Sequence, residues 1–227
     1  MKIIIVNGSH RKNGATAQIL QEIYEQLKKY PDVDVQFYHV SDMELKYCVG
    51  CSSCYKTGVC IYKDDAEKLS LEMENANGVI LGSPTYASNV SGQMKVIIDR
   101  GHFVMKQLLY GKYAISIVTY ENYGGKIVSK IFNRLLAYSG AKISGTIVSK
   151  SEFNTNPLKD ARLKRKIQRI TIRLHRDITE NHKYIFQDIK HSLVFRVGIK
   201  PFVWRKGSQY DGVVKYWREK GIAGGYK

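Results

Sequence analysis

All four cysteines of this chain lie in one short segment, as Cys48, Cys51, Cys54 and Cys60. Their spacing is C-x2-C-x2-C-x5-C, and the acidic pair Asp64 and Asp65 follows shortly after. Thiolates that are this close in sequence can converge on one soft metal centre without ligands from distant parts of the chain. A C-x2-C-x2-C opening is also typical of cysteines that hold a [4Fe-4S] cluster. The segment therefore points to iron and sulfur before any other ligand.

Three other interpretations of the cysteines have to be weighed. Structural zinc sites usually take two pairs of ligands separated by a dozen or more residues, and that separation is missing here. Disulfide frameworks belong to small secreted domains, whereas the N-terminus, MKIIIVNGS, reads as a strand and not as a signal peptide. Reduced thiols without a cluster are the third interpretation, because spacing alone does not show occupancy. A cluster and empty thiols both stay open at this point, in a protein that we expect to be cytoplasmic.

A second group of polar residues follows the first predicted strand and leads directly into a helix. The segment is GSHRKNGAT, and its Ser9, Arg11, Asn13 and Thr16 offer hydrogen-bond donors to an anion. Backbone amides at a helix N-terminus add to such an anion cradle. The glycine spacing matches neither the Walker A loop nor G-x-G-x-x-G. A phosphate monoester bound without magnesium fits this loop better than ATP.

Two further loops follow later strands and carry groups that suit a flat heterocycle. The first is GSPTYASN from residue 82, a proline turn whose free amides can donate to ring nitrogens and oxygens. The second is TYENYGG from residue 119, whose glycines let the backbone come close to a ligand. Loops that follow parallel strands meet at the carboxyl edge of the sheet. We therefore expect three loops to converge on one crevice.

Hydrophobic periodicity predicts five strands that alternate with helices. Apolar runs or alternation mark strands at residues 2–7, 33–40, 78–82, 113–119 and 142–148. Helical spacing marks segments that begin near residues 16, 64, 92 and 125. This alternation predicts an α/β fold with a doubly wound, five-stranded parallel sheet in the order 2-1-3-4-5. That order places the ligand crevice at the carboxyl ends of strands one, three and four.

The C-terminal third of the chain has a different character. A long basic helix is predicted over residues 158–182, with Ile167, Ile170, Leu174 and Ile178 on one stripe. Aromatic residues follow, as Phe195, Phe202, Trp204, Tyr210, Tyr216 and Trp217. We therefore divide the chain into a crevice-bearing domain of residues 1–150 and a basic, mainly helical extension of residues 151–227. An amphipathic helix must bury its apolar face to persist, so we expect the extension to serve dimerisation or to act as a lid.

Charge and composition limit the classes of function. Lys and Arg number 36 and Asp and Glu number 20, so the net charge is +16. Residues 151–227 hold 18 basic and 7 acidic residues, a net charge of +11. Such charge can attract nucleic acid, anionic lipid or an acidic electron carrier, but no nucleic-acid-binding motif accompanies it, and we do not expect nucleic acid as a partner. The apolar runs are too short for a transmembrane segment.

Taken together, these motifs resemble a known family. GSHRKNGAT, CVGCSSCYKTGVC with its acidic pair, and SPTYASNVSGQMKVIIDR look like the flavodoxin-like NAD(P)H-dependent FMN reductase superfamily, in particular its iron-sulfur flavoprotein branch. The motifs cover residues 1 to about 150. The resemblance implies a flavodoxin-like FMN-binding domain, NAD(P)H as the electron donor, and a homodimer with FMN near the subunit interface.

The resemblance also implies which residues hold the cofactor. The FMN phosphate would lie among Ser9, Arg11, Asn13, Ala15 and Thr16. The isoalloxazine ring would be bordered by Pro84, Thr85, Tyr86, Ala87 and Ser88, and closed on its other side by Thr119, Tyr120, Glu121 and Gly124. The chain departs from its relatives at His10, where proline is usual, at Ala15, where asparagine is frequent, and at Tyr120 and Glu121, where smaller residues are common.

The sequence thus predicts an FMN-dependent oxidoreductase that takes electrons from NAD(P)H or a reduced carrier. With a [4Fe-4S] cluster on the four cysteines, electrons would leave singly and the acceptor would be a one-electron carrier. Without it, a quinone, an azo dye or free flavin is the expected acceptor. No catalytic acid or base is expected, because the redox chemistry belongs to the cofactor. Two other classes stay open: a noncatalytic electron carrier of flavodoxin type, and a basic module that binds nucleic acid or membrane.

Overall fold

The structure, a computed structural model, describes residues 1–222. Its centre is a sheet of five long parallel strands and one short antiparallel strand. In chain order the strands are β1 (Lys2–Asn7), β2 (Asp34–His39), β3 (Gly78–Tyr86), β4 (Asn89–Val90), β5 (Tyr113–Tyr120) and β6 (Lys142–Lys150). The long strands lie in the order β2-β1-β3-β5-β6, and β4 pairs with the end of β3.

This architecture confirms the predicted fold class. The five long strands follow the predicted order, and β4, which was not predicted, raises the numbers of the last two by one. β3 also continues past its predicted end at Gly82. β3 pairs with β5 as far as Pro84. Its last two residues, Thr85 and Tyr86, pair with the antiparallel strand β4. Proline lacks an amide donor and usually marks a strand end, but here the pairing of its neighbours overrides that preference.

Helices cover both faces of the sheet. Within residues 1–222 they are α1 (Ala15–Leu27), α2 (Ser53–Thr57), α3 (Asp65–Glu74), α4 (Gly92–Arg100), α5 (Phe103–Lys106), α6 (Gly125–Tyr138), α7 (Ala161–Thr179), α8 (Ile185–Val194), α9 (Lys200–Arg205) and α10 (Asp211–Glu219). Alternate residues of β1 point to opposite faces, as a strand requires. Ile3 and Ile5 pack with α1 and α7, whereas Ile4 and Val6 pack with α3, α4 and α6. Each face therefore has its own apolar core.

The basic helix α7 lies against the sheet of its own chain. Leu163, Ile167, Ile170 and Leu174 are buried in the core that also contains α1 and the strands. The close packing is possible because β6 carries Gly145 under the side chain of Ile170, where a Cβ atom would lie 2.8 Å away. The basic side chains of α7 are exposed on the opposite face. The apolar stripe that the sequence predicted thus has its partner surface within the chain.

The last helices form a third apolar core. α8 runs without a break through a π-helical turn, Phe195–Ile199, into α9. The wide turn comes directly before Pro201, which has no amide donor and whose ring would collide with a carbonyl one turn earlier in a regular helix. The core itself consists of Phe195, Ile199, Val203, Tyr210, Val213, Trp217 and Ile222. No helix within residues 1–222 has both the length and the apolar character needed to cross a membrane.

Candidate functional site

An open cavity of about 470 Å³ lies at the carboxyl ends of β1, β3 and β5. Its size is in the range of cofactor sites. Thirteen of the residues predicted for the crevice line it, namely Ser9, Arg11, Asn13, Ala15, Thr16, Pro84, Thr85, Tyr86, Ala87, Ser88, Thr119, Tyr120 and Glu121. Gly124 is not among the lining residues. It precedes α6 at a φ of 86°, and a Cβ atom there would lie 2.9 Å from the Ser88 hydroxyl oxygen.

The loop after β1 is organised around Ser9. Its amide donates to the Asn7 side chain at 3.0 Å, and its hydroxyl accepts from the Arg11 amide at 3.1 Å. The loop then enters α1 at Gly14, which provides no side-chain cap for the helix. The first-turn amide groups of α1 therefore open into the cavity without a capping side chain, and they carry the positive end of the helix dipole. This arrangement suits an anion.

The three loops are joined by hydrogen bonds within the crevice. The Thr16 and Thr119 hydroxyls, both buried, lie 2.7 Å apart and connect α1 to the end of β5. The Ser91 hydroxyl donates to the Gly8 carbonyl, and the Ser91 amide donates to the Ser83 hydroxyl at 2.9 Å. These bonds fix the first loop against the second. The crevice walls are therefore held in place by the protein itself.

The turn at Ala87 and Ser88 has an unusual backbone. Both residues lie in the left-handed region, with φ values of 48° and 60°. This conformation is strained for residues other than glycine, and such strain is often found at ligand sites. The buried Thr85 hydroxyl, also in the cavity wall, has no hydrogen-bond partner among the described residues. A polar ligand that reaches Thr85 would satisfy it.

A fourth loop, residues 151–155, also lines the cavity and was not predicted to do so. Its Phe153 ring lies 4.2 Å from the guanidinium carbon of Arg11, and its Asn154 side chain accepts a hydrogen bond from Arg11. The Phe153 amide donates to the Glu121 carboxylate at 3.2 Å. The loop follows β6, so the rule that ligands bind at the carboxyl edge could have included it. The prediction assigned it to the extension instead.

The cysteine segment is a separate loop whose two ends are held by one buried ion pair. The Arg100 guanidinium donates to both oxygens of Asp64, at 2.7 and 2.8 Å, and to the Lys46 carbonyl at 2.6 Å. Asp64 in turn accepts the Lys46 amide at 2.9 Å and the Ala66 amide at 3.2 Å. Burial raises the pKa of Asp64, but these hydrogen bonds outweigh it and bring the pKa below its ordinary value. Arg100 and Asp64 thus close the base of the loop.

All four cysteines are free thiols around one small cavity, which Arg100 and His102 also line. Cys48 and Cys51 are exposed, and Cys54 and Cys60 are partly buried. Burial, followed by the nearby thiols of Cys60, Cys48 and Cys51, raises the pKa of Cys54 to about 11. Burial, together with Lys106 and Arg100, lowers the pKa of His102 to about 4. Cys54 thus lies close to the other three thiols at this cavity.

The donor set fits a cluster better than a single ion. Within residues 1–222 no three His, Cys, Asp or Glu side chains are placed to hold one metal ion. In a cubane cluster each thiolate binds a different iron, so its four ligands stand further apart than the ligands of one zinc ion. Arg100, which lines the same cavity as the thiols, also has a buried Nε without a hydrogen-bond partner among the described residues. Sulfur atoms of a cluster accept such donors.

Comparison with known proteins assigns the chain to a family. The profile of the NADPH-dependent FMN reductases matches residues 1–155. The chain belongs to this family. An iron-sulfur flavoprotein of Clostridioides difficile is 35% identical to this chain over 225 residues, covering 98% of the chain and 100% of the relative. An iron-sulfur flavoprotein of Archaeoglobus fulgidus is 31% identical over 231 aligned positions, with coverage of 98% and 100%.

Solved structures agree on the fold. Azoreductase AzrA superposes with a TM-score of 0.60 at 14% identity, covering 77% of this chain and 100% of that one. A flavodoxin from the domain Archaea gives a TM-score of 0.53 at 15% identity, with coverage of 79% and 99%. The fold is thus flavodoxin-like, and the family match makes the chain a flavin-dependent oxidoreductase whose full-length relatives are named iron-sulfur flavoproteins.

Proposed function

We propose that this protein binds FMN in the 470 Å³ crevice, with the phosphate group at the N-terminus of α1. The observation that carries the proposal is the uncapped first turn of α1, which meets Ser9 and Thr16 at one end of a cavity of cofactor size. The unpartnered Thr85 hydroxyl lies in the same cavity and suits a polar edge of the ring system. The fit thus involves both ends of the cofactor.

The residues of the crevice bind, orient and shield. Bound FMN would accept a hydride from NAD(P)H at N5 and pass the electrons on. Tyr86 and Tyr123 stand exposed at the mouth of the cavity, where aromatic faces can stack on the nicotinamide or on a flat acceptor such as a quinone. Glu121 and Phe153 close the side towards β6. None of these residues needs to exchange a proton for the hydride to move.

The test of FMN binding compares a double variant with a single control variant. A double variant, Ser9→Ala with Thr16→Ala, should release the cofactor, because both hydroxyls lie at the phosphate end. Thr179→Ala, at the exposed end of α7, is the matched control and should retain it. Mass spectrometry of the released cofactor identifies it. FAD, or no flavin after reconstitution of the wild-type chain, would refute the proposal.

The four cysteines form the second part of the proposed function. Cys48, Cys51, Cys54 and Cys60 would hold a [4Fe-4S] cluster, which would supply one-electron redox chemistry to the protein. Support comes from their shared cavity, from the free donor of Arg100 and from the names of the full-length relatives. Anaerobic reconstitution of Cys51→Ser should yield FMN but no stoichiometric iron and sulfide. If the wild-type chain takes up flavin but no iron, the four cysteines do not hold a cluster.

The exposed face of α8 and α9 supports a homodimer. Six large apolar side chains on this face are more than half exposed, and Phe186 is 89% exposed; they are Ile185, Phe186, Ile189, Leu193, Val197 and Trp204. Such a contiguous face is typical of a subunit interface, and a second copy of the chain is the occupant that we propose. Burying each residue could contribute on the order of 2 kcal/mol.

The oligomeric state can be measured by sedimentation. Phe186→Asp places a charge on the most exposed side chain of the face and should shift the protein from dimer to monomer. Ile172→Asp, an exposed apolar residue on the basic side of α7, is the control and should leave the dimer intact. A monomeric wild-type protein would rule out this interface.

A further inference from the structure

The core of the C-terminal helices includes a residue of the cysteine loop. Tyr55, the neighbour of Cys54 in sequence, packs among the apolar side chains of residues 195–222. Its ring stacks on Tyr210 with a centroid distance of 4.8 Å and an interplanar angle of 18°. Tyr210 is buried, and Phe202 meets it edge-on at 5.8 Å. Tyr55 is therefore held by Tyr210, a residue 155 positions later that Phe202 packs against in turn.

A backbone contact lies beside this aromatic stack. At Gly212, in the first turn of α10, a Cβ atom would lie 2.2 Å from the Gly58 nitrogen and 2.7 Å from the Thr57 carbonyl carbon. These atoms belong to the backbone and cannot move aside as a flexible side chain can. Only glycine at position 212 therefore lets α10 approach the end of α2. Lys106 adds a hydrogen bond of 2.6 Å to the Gly58 carbonyl from the other side.

The cysteine loop has little structure of its own. α2, which carries Cys54, has five residues and is bounded by left-handed residues, Ser52 and Gly58. A helix of this length is not stable without external packing. The pair of Arg100 and Asp64 holds only the ends of the loop, and the apolar side chains of Val49 and Ile61 are exposed. The middle of the loop therefore depends on the contacts of Tyr210 and Gly212, together with the Lys106 hydrogen bond to the Gly58 carbonyl.

We propose that the C-terminal helices clamp the cysteine loop, with Tyr210 and Gly212 as the positioning residues that set the place of Cys54 and Cys60. The inference deepens the proposed function, because it rests on a cluster at these cysteines. It assigns a role to residues 195–222 that is independent of dimerisation. The clamp acts on the thiols and not on the flavin crevice, since neither Tyr210 nor Gly212 lines that cavity. Its loss should therefore separate the two cofactors.

The test uses two glycines that differ in their surroundings. Gly212→Ala should displace α2, whereas Gly198→Ala is the matched control, because a Cβ atom there meets nothing within 4 Å. Alanine is the better helix former, so a loss in Gly212→Ala cannot come from helix propensity. After anaerobic reconstitution we expect full FMN in both variants, and iron, sulfide and the cluster's visible absorption to be lost only in Gly212→Ala. In the cluster-free proteins, Cys54 should be alkylated about tenfold faster in Gly212→Ala, because local opening exposes it.

A second pair of variants guards against a general loss of folding. Tyr210→Ala should repeat the effect of Gly212→Ala, and Tyr210→Phe, which keeps the ring stack, should restore wild-type behaviour. Trp217 fluorescence reports whether the C-terminal core is intact. Equal alkylation rates of Cys54 in Gly212→Ala and Gly198→Ala would overturn the clamp. A wild-type chain that binds no cluster would refute the proposed function, while the alkylation rates would still decide whether the clamp exists.

Discussion

At the scale of single residues, the stability of the fold is most sensitive to loss of the buried ion pair between Arg100 and Asp64. Their side chains are 1% and 9% exposed, so neither charge can be hydrated if its partner is lost. Arg100→Met should therefore lower the free energy of unfolding by about 3 to 5 kcal/mol. The control lies on the same helix: Lys95 pairs with Asp99 in a half-exposed position, and Lys95→Met should cost less than about 1 kcal/mol. Urea denaturation measures both, and equal losses would contradict the prediction.

His102 gives a pH dependence of stability whose sign can be worked out. Its pKa is about 4 in the folded chain, against an ordinary value of 6.5. Between these values the unfolded chain takes up a proton that the folded chain does not, so stability falls as the pH falls. The contribution is fully present above pH 6.5. From pH 7 to pH 5 the loss should be about 2 kcal/mol.

A substitution isolates this term from other titrating groups. His102 has a φ of 54°, and asparagine tolerates that left-handed conformation. His102→Asn should therefore fold and should lose less stability than the wild-type chain between pH 7 and pH 5. Urea unfolding at both pH values is the measurement. Parallel pH profiles of the two proteins would show that His102 is not responsible.

At the scale of elements, the loop of residues 151–155 forms one wall of the crevice, in which Phe153 contacts Arg11. Phe153 is 65% exposed. Its ring contacts Arg11, and its backbone amide donates a hydrogen bond to the Glu121 carboxylate. Phe153→Ala should remove one of the two contacts that hold Arg11 against this loop and raise the dissociation constant of FMN about fivefold, the equivalent of roughly 1 kcal/mol. Leu71→Ala, an exposed residue on α3, should leave it unchanged. Fluorescence titration of the flavin-free protein measures both values, and an unaltered affinity in Phe153→Ala would remove the loop from the site.

At the scale of the whole molecule, the extension contributes to two different cores. α7 covers the face of the sheet that carries Ile3, Ile5 and Ile147, whereas residues 195–222 form their own core beside the cysteine loop. A chain that ends at residue 150 should aggregate and bind FMN weakly, because its sheet is bare on one side. A chain that ends at residue 182 keeps α7 and should bind FMN without holding a cluster. Light scattering and flavin titration compare the two, and a soluble, fully flavinated chain of 150 residues would contradict the prediction.

Local patterns in the sequence determined the fold of the first 150 residues. A short apolar run indicates a buried strand, and apolar residues that recur every 3.6 positions indicate a helix. Both signals depend only on residues that are near one another in sequence. Such signals placed α4 and α6 at their observed bounds and led to the correct order of the five long strands. The GSHRKNGAT loop and the cysteines were equally visible, because their residues are contiguous. Short-range information was enough for these features.

Only the tertiary structure decided how distant segments meet. Gly58 and Gly212 touch through their backbones, and neither glycine carries a local sign of the other. Arg11 and Phe153 likewise meet although neither residue carries a local sign of the other. The sequence showed that the apolar stripe of α7 must be buried, but not that the sheet of the same chain buries it. A sequence shows that a side chain must be buried or paired, whereas the choice among surfaces depends on close packing in three dimensions. The crevice loops could therefore be read from the chain, but the contacts that hold the cysteine loop could not.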